Sequence, residues 1–357
     1  MFGADIICIL RGKAPIRITE IDVAKGLGIL LTIIGHTTLW ETPSHNFVYS
    51  FHMPLFFFLS GLVMNSNLKS SKKECKKLLA SYLIWSLLFS LFDIYTHSSS
   101  LQLVKSALLT NTLFTISFWG ISVLWFLPAL ILTKFFTFII KRICSSAKIQ
   151  LLILTFLVLF ALWAKQSWME WNVSPDTYQQ FFYYAIGCII RSITQTPFVF
   201  IGLYSQTILK KIVQLPRHFC LLLGGIILLA VYILSQFIGR IDIHELVFPF
   251  YPIFLFVALL GCYGTILFSH ALCQSKFISP VFTTLGKNSL FIMATHNYFF
   301  IPDSVIFLLS ALNIKFSIVS SALYYMLLLL IELVLIKIIA PLINHLISFI
   351  TRKSIYQ

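Results

Sequence analysis

The sequence predicts an all-α, polytopic membrane protein, because of its composition and a repeated apolar pattern. Of the 357 residues, 59% are hydrophobic and only 11% are charged, whereas a soluble domain carries about 25% charged residues. So small a charged fraction excludes a soluble enzyme. The 35 Phe, 14 Tyr and 7 Trp residues exclude a disordered chain. Apolar runs near the length that crosses a bilayer, about 20 residues, recur from end to end.

Ten apolar runs, separated by polar residues, are the predicted membrane spans. The second, fifth and sixth runs are short, so their helices should extend into the neighbouring polar residues. A further apolar piece, Pro197–Leu209, is too short to count as a span and is interpreted as interfacial or re-entrant. The ten runs are Ile21–Leu39, Phe51–Met64, Leu78–Tyr95, Trp119–Ile140, Ile149–Trp163, Tyr178–Ile190, Phe219–Ile238, Leu246–Phe268, Leu290–Phe307 and Ile318–Ile339.

The basic residues predict the orientation. If the N-terminus is cytoplasmic, 19 of the 26 Lys and Arg residues lie on the cytoplasmic side, 4 lie outside and 3 lie within helices. This asymmetry obeys the positive-inside rule and places both termini in the cytoplasm. It also explains the net charge of +14 without nucleic acid. The predicted organisation is one integral membrane domain over residues 1–357, with a cytoplasmic segment 1–20, a ten-helix membrane domain 21–345 and a cytoplasmic tail 346–357.

The first predicted helix carries charged groups, which are costly in a membrane and therefore functional candidates. Asp22 and Lys25 are three residues apart, so they share a helix face and can pair. His36 follows Lys25 by eleven residues, which is about 16 Å along the same face. The alternative is that Lys25 extends to the interface and His36 makes a hydrogen bond between helices.

The second predicted helix begins with another histidine. His52 precedes Pro54, and proline suits the first turn of a helix. A short loop joins the two helices, so His36 and His52 can lie near each other on the outer side. Ser60 and Gly61 form a small spot where another backbone can approach closely. His52 as a helix cap and Ser60 as a packing residue are the alternatives.

A lysine-rich segment follows the second helix. It includes Lys72, Lys73, Lys76 and Lys77. The lysines help to fix the membrane topology. The more specific alternative is that they bind a phosphate-rich cytosolic ligand. The seven cysteines have no metal-type spacing, so neither a metal nor a disulfide framework is expected.

Several of these residues resemble signatures of the acyltransferase-3 family of integral membrane acyltransferases. Lys25, ten residues and then His36 resembles the basic-X10-His signature. Residues 51–54 and 57–61 resemble the second signature, in the form of the fucose 4-O-acetylase-like branch. Weaker resemblances lie at Trp125-Phe126-Leu127-Pro128 and at Gly286-Lys287-Asn288-Ser289-Leu290 with His296. Ser81 stands where family members often have proline.

The resemblance implies transfer of an acyl group, usually acetyl from acetyl-coenzyme A, to a sugar hydroxyl of a surface polysaccharide or its lipid-linked precursor. It makes His36 the catalytic residue, paired with Lys25, in a multi-pass protein of the cytoplasmic (inner) membrane. We expect His36 to act as general base, because the unperturbed pKa of histidine is about 6.5. The alternative is that His36 itself carries the acyl group. Asp22 would line the polar helix face that leads from Lys25 toward His36.

The remaining candidate residues are assigned to ligands. The coenzyme phosphates are expected at Lys72, Lys73, Lys76 and Lys77, and the acceptor at His52, Ser60, Asn288 and His296. The expected partners are the bilayer and a glycan, with no metal. A transporter or flippase for a lipid-linked sugar fits the polar intramembrane face equally well, although the two halves show no similarity. An inactive scaffold is a third alternative, against which the intact Lys25 and His36 argue.

Overall fold

The computed structural model describes residues 19–37, 42–65, 68–173, 176–312, 314 and 318–353, which fold as helices. Most of the predicted cytoplasmic segment 1–20 and the last residues of the first predicted span lie outside these ranges. A short 3₁₀ helix, Ser122–Trp125, precedes α5. The α-helices in chain order are α1 (Thr19–Thr37), α2 (Pro43–Leu62), α3 (Leu68–Thr96), α4 (Leu101–Ile116), α5 (Phe126–Ile143), α6 (Ala147–Met169), α7 (Thr177–Tyr204), α8 (Gln206–Ile212), α9 (Arg217–Ile238), α10 (Tyr251–Cys273), α11 (Ile278–Lys287), α12 (Ser289–Thr295), α13 (Ile301–Ala311), α14 (Ile318–Ile338) and α15 (Ala340–Lys353).

The helices confirm a multi-pass membrane protein of the all-α class. Among the described residues, six helices are long and apolar enough to cross a bilayer, and a bent pair raises the number to seven. The pair is Ala322–Ile338 with Ala340–Thr351, bent by 46°. The count of about ten spans, the cytoplasmic termini and the bounds 21–345 stay predictions. The six helices are Ser71–Thr96, Ser122–Ile143, Ala147–Met169, Thr177–Tyr204, Arg217–Ile238 and Tyr251–Cys273.

The three short runs extend into polar residues as expected, and α7 extends much further. The predicted end of its span at Ile190 is wrong, and so is the interpretation of 197–209 as a separate interfacial or re-entrant piece, because α7 runs unbroken to Tyr204 with Pro197 inside. The polar residues after Ile190 fit in the helix because their hydroxyls bond to its own carbonyls. Ser192 donates to Cys188 O (2.7 Å) and Thr196 to Ser192 O (2.8 Å).

Arg191 consequently lies inside a buried helix rather than in a cytoplasmic loop. Counting Arg191 within a helix, and not on the cytoplasmic side, leaves the asymmetry of Lys and Arg between the two sides of the membrane essentially unchanged. Two further differences concern segments that the sequence assigned to loops: α4 and α11 are helical.

The ninth predicted span, 290–307, is not one helix. It is divided into α12 and α13 by residues 296–300. Phe299 (φ 55°) and Phe300 (φ 58°) adopt the left-handed conformation there, which is unfavourable for a large side chain. The apolar pattern did not predict the break, because the aromatic residues Tyr298, Phe299 and Phe300 continue the apolar run across it.

Two close helix crossings position the first two helices. A Cβ atom on Gly61 of α2 would lie 2.1 Å from Val199 O of α7, and one on Gly202 would lie 2.2 Å from Phe58 O. Likewise, a Cβ on Gly26 of α1 would lie 2.2 Å from Phe282 O of α11, and one on Gly286 would lie 1.7 Å from Asp22 O. The close approach predicted at Gly61 is therefore confirmed.

The crossing at Gly61 yields a stability prediction. Gly61→Ala should lower the free energy of unfolding by about 1–3 kcal/mol, because the methyl group forces the backbones of α2 and α7 apart. Gly225→Ala in α9 is the matched control, since a Cβ there has no neighbour within 4 Å. Thermal unfolding of the detergent-solubilised protein measures both. Equal melting temperatures for the two variants would contradict the close crossing.

Candidate functional site

Helix α1 carries the three predicted catalytic residues on one uninterrupted helix. Asp22 is buried near its N-terminus, Lys25 is half-buried one turn later, and His36 is exposed near its C-terminus. The predicted spacing of about 16 Å between Lys25 and His36 therefore holds. The pairing of Asp22 with Lys25 stays a prediction.

Three histidines from separate helices meet at the C-terminal end of α1. The ring centroids of His36 and His296 are 5.1 Å apart. His52 of α2 is within electrostatic range of both, which confirms that His36 and His52 lie near each other. His52 and His296 are buried, whereas His36 is exposed. His36 is thus the imidazole of the cluster that a substrate can reach.

Backbone hydrogen bonds fix the tautomers of the two buried histidines. His52 Nδ1 lies 2.8 Å from Val48 O. His296 Nδ1 lies 2.9 Å from Ile292 O and 3.0 Å from Met293 O. Because a carbonyl oxygen only accepts, Nδ1 carries the proton in both rings, and in the neutral rings Nε2 keeps its lone pair. His296 Nε2 is buried and has no hydrogen-bond partner, so it can accept a proton or a hydrogen bond from a ligand.

Polar contacts hold the segment around His296. Thr295 Oγ1 lies 3.0 and 2.9 Å from the two carboxylate oxygens of Glu332, a fully buried residue of α14. After the histidine, the Tyr298 hydroxyl donates to Asp93 Oδ1 of α3 at 2.5 Å. Asn111 Nδ2 of α4 donates to the other oxygen of Asp93 at 2.7 Å. These contacts bind the broken segment to α14 and α3, and α4 holds Asp93 in place.

The loop between α9 and α10 adds acidic groups that the motifs did not predict. Asp242 is within electrostatic range of His36 and forms an ion pair with Arg240 (3.5 Å). In the same loop, a hydrogen bond from His244 Nδ1 to Glu245 Oε1 (2.6 Å) lowers the pKa of the Glu245 carboxyl. The sequence signal was only that Asp242 and Glu245 lie between two apolar runs, on the predicted outer side.

His45 is a further histidine within electrostatic range of His36. It is buried in the first turn of α2 and stacks on Tyr49 with ring centroids 3.9 Å apart. Tyr49 in turn lies 5.0 Å from the His52 ring. His45 and Tyr49 therefore belong to the wall of the histidine cluster.

Two residues predicted to bind the acceptor sugar, Asn288 and Ser60, lie at contacts within the fold. Asn288 lies at the junction of α11 and α12, where its Nδ2 donates to Thr284 O at 2.9 Å. It precedes His296 by eight residues, about 12 Å of helix. Ser60 is half-buried beside the Gly61 crossing. Contact of either residue with an acceptor stays a prediction.

The four predicted donor-binding lysines are exposed on the first turns of α3. They are Lys72, Lys73, Lys76 and Lys77. Glu74 lies on the same segment and forms an ion pair with the buried Lys134 of α5, which leaves the charge of the segment strongly positive. Among the described residues, no group of three or more His, Cys, Asp or Glu side chains could hold a metal ion.

The contact between Thr295 and Glu332 gives a second stability prediction. Thr295→Val should lower the free energy of unfolding by about 1–3 kcal/mol, because it removes the hydroxyl that bonds to a buried carboxylate. The same substitution in a Glu332→Leu background should cost much less, which a double-mutant cycle of thermal unfolding measures. Thr265→Val is the control, since that hydroxyl bonds only to Gly261 O of its own helix. A cycle without coupling energy would contradict the contact.

Comparison with known proteins identifies the family. A family described as "Acyltransferase domain" (acyltransferase 3) matches residues 18–344. Nodulation protein NolL of Mesorhizobium japonicum is 32% identical over 151 residues, which are 38% of this chain and 39% of that protein. No solved structure gave a significant match. Since the family match covers nearly the whole chain, the protein belongs to the acyltransferase-3 family of membrane acyltransferases.

Proposed function

We propose that the protein is a membrane O-acetyltransferase that moves an acetyl group from acetyl-coenzyme A to a sugar hydroxyl. The acceptor is a cell-surface polysaccharide or its lipid-linked precursor, and the protein lies in the cytoplasmic membrane with both termini inside. The observation that carries the proposal is the exposed His36 ring, 5.1 Å from His296, at one end of a helix whose other end carries Lys25.

His36 is proposed as the general base. It removes the proton from the sugar hydroxyl while the hydroxyl oxygen attacks the thioester carbonyl carbon. The carbon–sulfur bond then breaks, and the proton held by His36 passes to the leaving thiolate, so that a sugar ester and free coenzyme A are formed. Histidine is suited to both directions because its unperturbed pKa, about 6.5, is near neutrality.

His52 and His296 are proposed to orient the acceptor and His36. Their Nδ1 protons are engaged by backbone carbonyls, so their Nε2 atoms accept hydrogen bonds. Acceptor groups at these atoms suit a sugar, which donates several hydroxyl protons. Asp242 is near enough to stabilise the imidazolium form of His36 after it has taken the proton.

The exposed lysines of α3 are proposed to bind the phosphates of acetyl-coenzyme A. Four ammonium groups within six residues provide the charge for a ligand with several phosphates. Lys25 and Asp22 line the passage between this face and His36, about 16 Å along α1. The thioester would thus reach His36 from the cytosolic side while the acceptor approaches from the outer side.

The proposed base is tested by substitution. His36→Ala should reduce acetyl transfer about 10²- to 10⁴-fold, which is the usual contribution of general-base catalysis. Mass spectrometry of surface glycans from cells that express each variant measures the transferred group. His345→Ala is the matched control, because His345 is exposed on α15. Transfer at the unsubstituted level by the His36 variant would contradict the assignment and favour a transporter of lipid-linked sugar.

The proposed donor site is tested by removing charge. Replacing Lys72, Lys73, Lys76 and Lys77 with Gln should raise the KM for acetyl-coenzyme A at least tenfold, because about 1.4 kcal/mol of binding corresponds to a factor of ten. The kcat at saturating donor should change little, since the substitutions lie far from His36. Lys210→Gln with Lys211→Gln in α8 is the control for general loss of positive charge. A KM equal in both variants would place the donor elsewhere.

A further inference from the structure

A second polar site lies around Arg191, at the middle of α7. The side chain is fully buried, and its guanidinium stacks on Trp119 with its carbon 4.0 Å from the ring centroid. Nη1 donates to Trp119 O (3.2 Å) and Nη2 donates to His244 O (2.8 Å). A second indole, that of Trp125, lies 5.2 Å away. The guanidinium is thus held in one orientation by two loops.

The hydrogen bonds of this site are incomplete. No carboxylate forms an ion pair with Arg191 among the described residues, and its Nε–H is buried without a hydrogen-bond partner. His244 Nε2 is also buried without a partner. A buried donor or acceptor that is left unpaired is destabilising, and more so when the group is charged. Two such atoms within one aromatic enclosure indicate that the site is built for a ligand.

The enclosure is partly open. Trp125 is half-buried and the His244 side chain is 30% exposed, so a ligand can enter beside them. The loop that presents Trp119 is held in an unusual conformation, with Phe118 (φ 61°) and Ser122 (φ 48°) both left-handed. Such strain is costly and is concentrated at functional sites.

We propose that Arg191, Trp119, Trp125 and His244 form an acceptor subsite that binds the carboxylate of an acidic sugar. Trp119 covers one face of the guanidinium, so a ligand must approach in its plane at the Nε edge. A carboxylate can accept two parallel hydrogen bonds there, from Nε–H and from the second N–H of Nη2, and the guanidinium offers the same geometry to a phosphate. The single negative charge of a carboxylate matches the single positive charge of the guanidinium. His244 Nε2 accepts a sugar hydroxyl proton, and the indoles cover the ring. This proposal rests on the proposed function, of which it specifies the acceptor class.

The location of the subsite agrees with transfer at His36. His244 is two residues from Asp242, which is within electrostatic range of His36. One short loop therefore contacts Arg191 and lies within electrostatic range of His36. The alternative role for Arg191 is to tie the two loops together, and this role requires no ligand.

Calorimetric titration of the purified full-length protein, without acyl donor, separates these roles. Sodium glucuronate should bind saturably, and glucose at least tenfold more weakly because it lacks the carboxylate. Arg191→Gln should weaken glucuronate binding at least tenfold. Arg191→Lys should be intermediate, since it keeps the charge but loses the paired N–H groups. Arg240→Gln is the control for general attraction to the outer face, and it should leave binding within twofold.

Three results would overturn the proposal: glucose bound as tightly as glucuronate, equal weakening by Arg191→Gln and Arg240→Gln, or inorganic phosphate bound as tightly as glucuronate in an Arg191-dependent way. If Arg191→Gln does not fold, His244→Ala serves instead, because the backbone carbonyl that holds Arg191 remains. It should weaken glucuronate binding at least threefold, and unchanged binding would also overturn the proposal. His36→Ala should bind glucuronate normally, so a failure of the proposed catalysis is distinguishable from a failure of the subsite.

Discussion

The geometry of the histidine cluster depends on how closely two pairs of helices cross. Helix α1 lies against α11 at Gly26 and Gly286, and α2 lies against α7 at Gly61 and Gly202. At each crossing a backbone oxygen occupies the place of a missing Cβ atom. In a membrane, where apolar burial does not drive helix association, such close backbone contact supplies the van der Waals attraction. The two helices also contact each other directly, at Gly28 against Leu55 and Phe56 and at Gly35 against Val48 and Tyr49, and these contacts bring His36 and His52 together.

The third histidine depends on a different kind of support. His296 lies at the end of α12, where the chain leaves the helix through left-handed Phe299 and Phe300. This conformation is costly, and a break in a membrane helix also frees backbone polar groups. The hydrogen bonds of Thr295 to Glu332 and of Tyr298 to Asp93 offset that cost. The cluster thus joins two rigid helices with one strained segment that side-chain hydrogen bonds hold in place.

The sequence predicted the helical membrane class and the closeness of His36 and His52, because both follow from local patterns: apolar runs in the first case and a short loop in the second. It failed in two places, for different reasons. The polar residues after Ile190 were taken as the end of a span, yet the helix continues, since Ser192 and Thr196 satisfy their hydroxyls within it. The proximity of Asp242 to His36 could not be predicted either, because the two are more than two hundred residues apart.

Because a span was predicted to end at Ile190, the buried position of Arg191 was not predicted either. Inside a membrane-spanning helix a charged side chain must find polar partners within the protein. Arg191 finds two carbonyl oxygens and an indole face, and these stabilise a cation without neutralising it. The nearest acidic groups, Asp242 and Glu245, act on it only at longer range. An anion bound at the Nε atom of Arg191 would supply the missing negative charge. It would lie beside the loop that carries Asp242. The loop that carries His244 thus adjoins the Arg191 site, and its Asp242 lies within electrostatic range of His36.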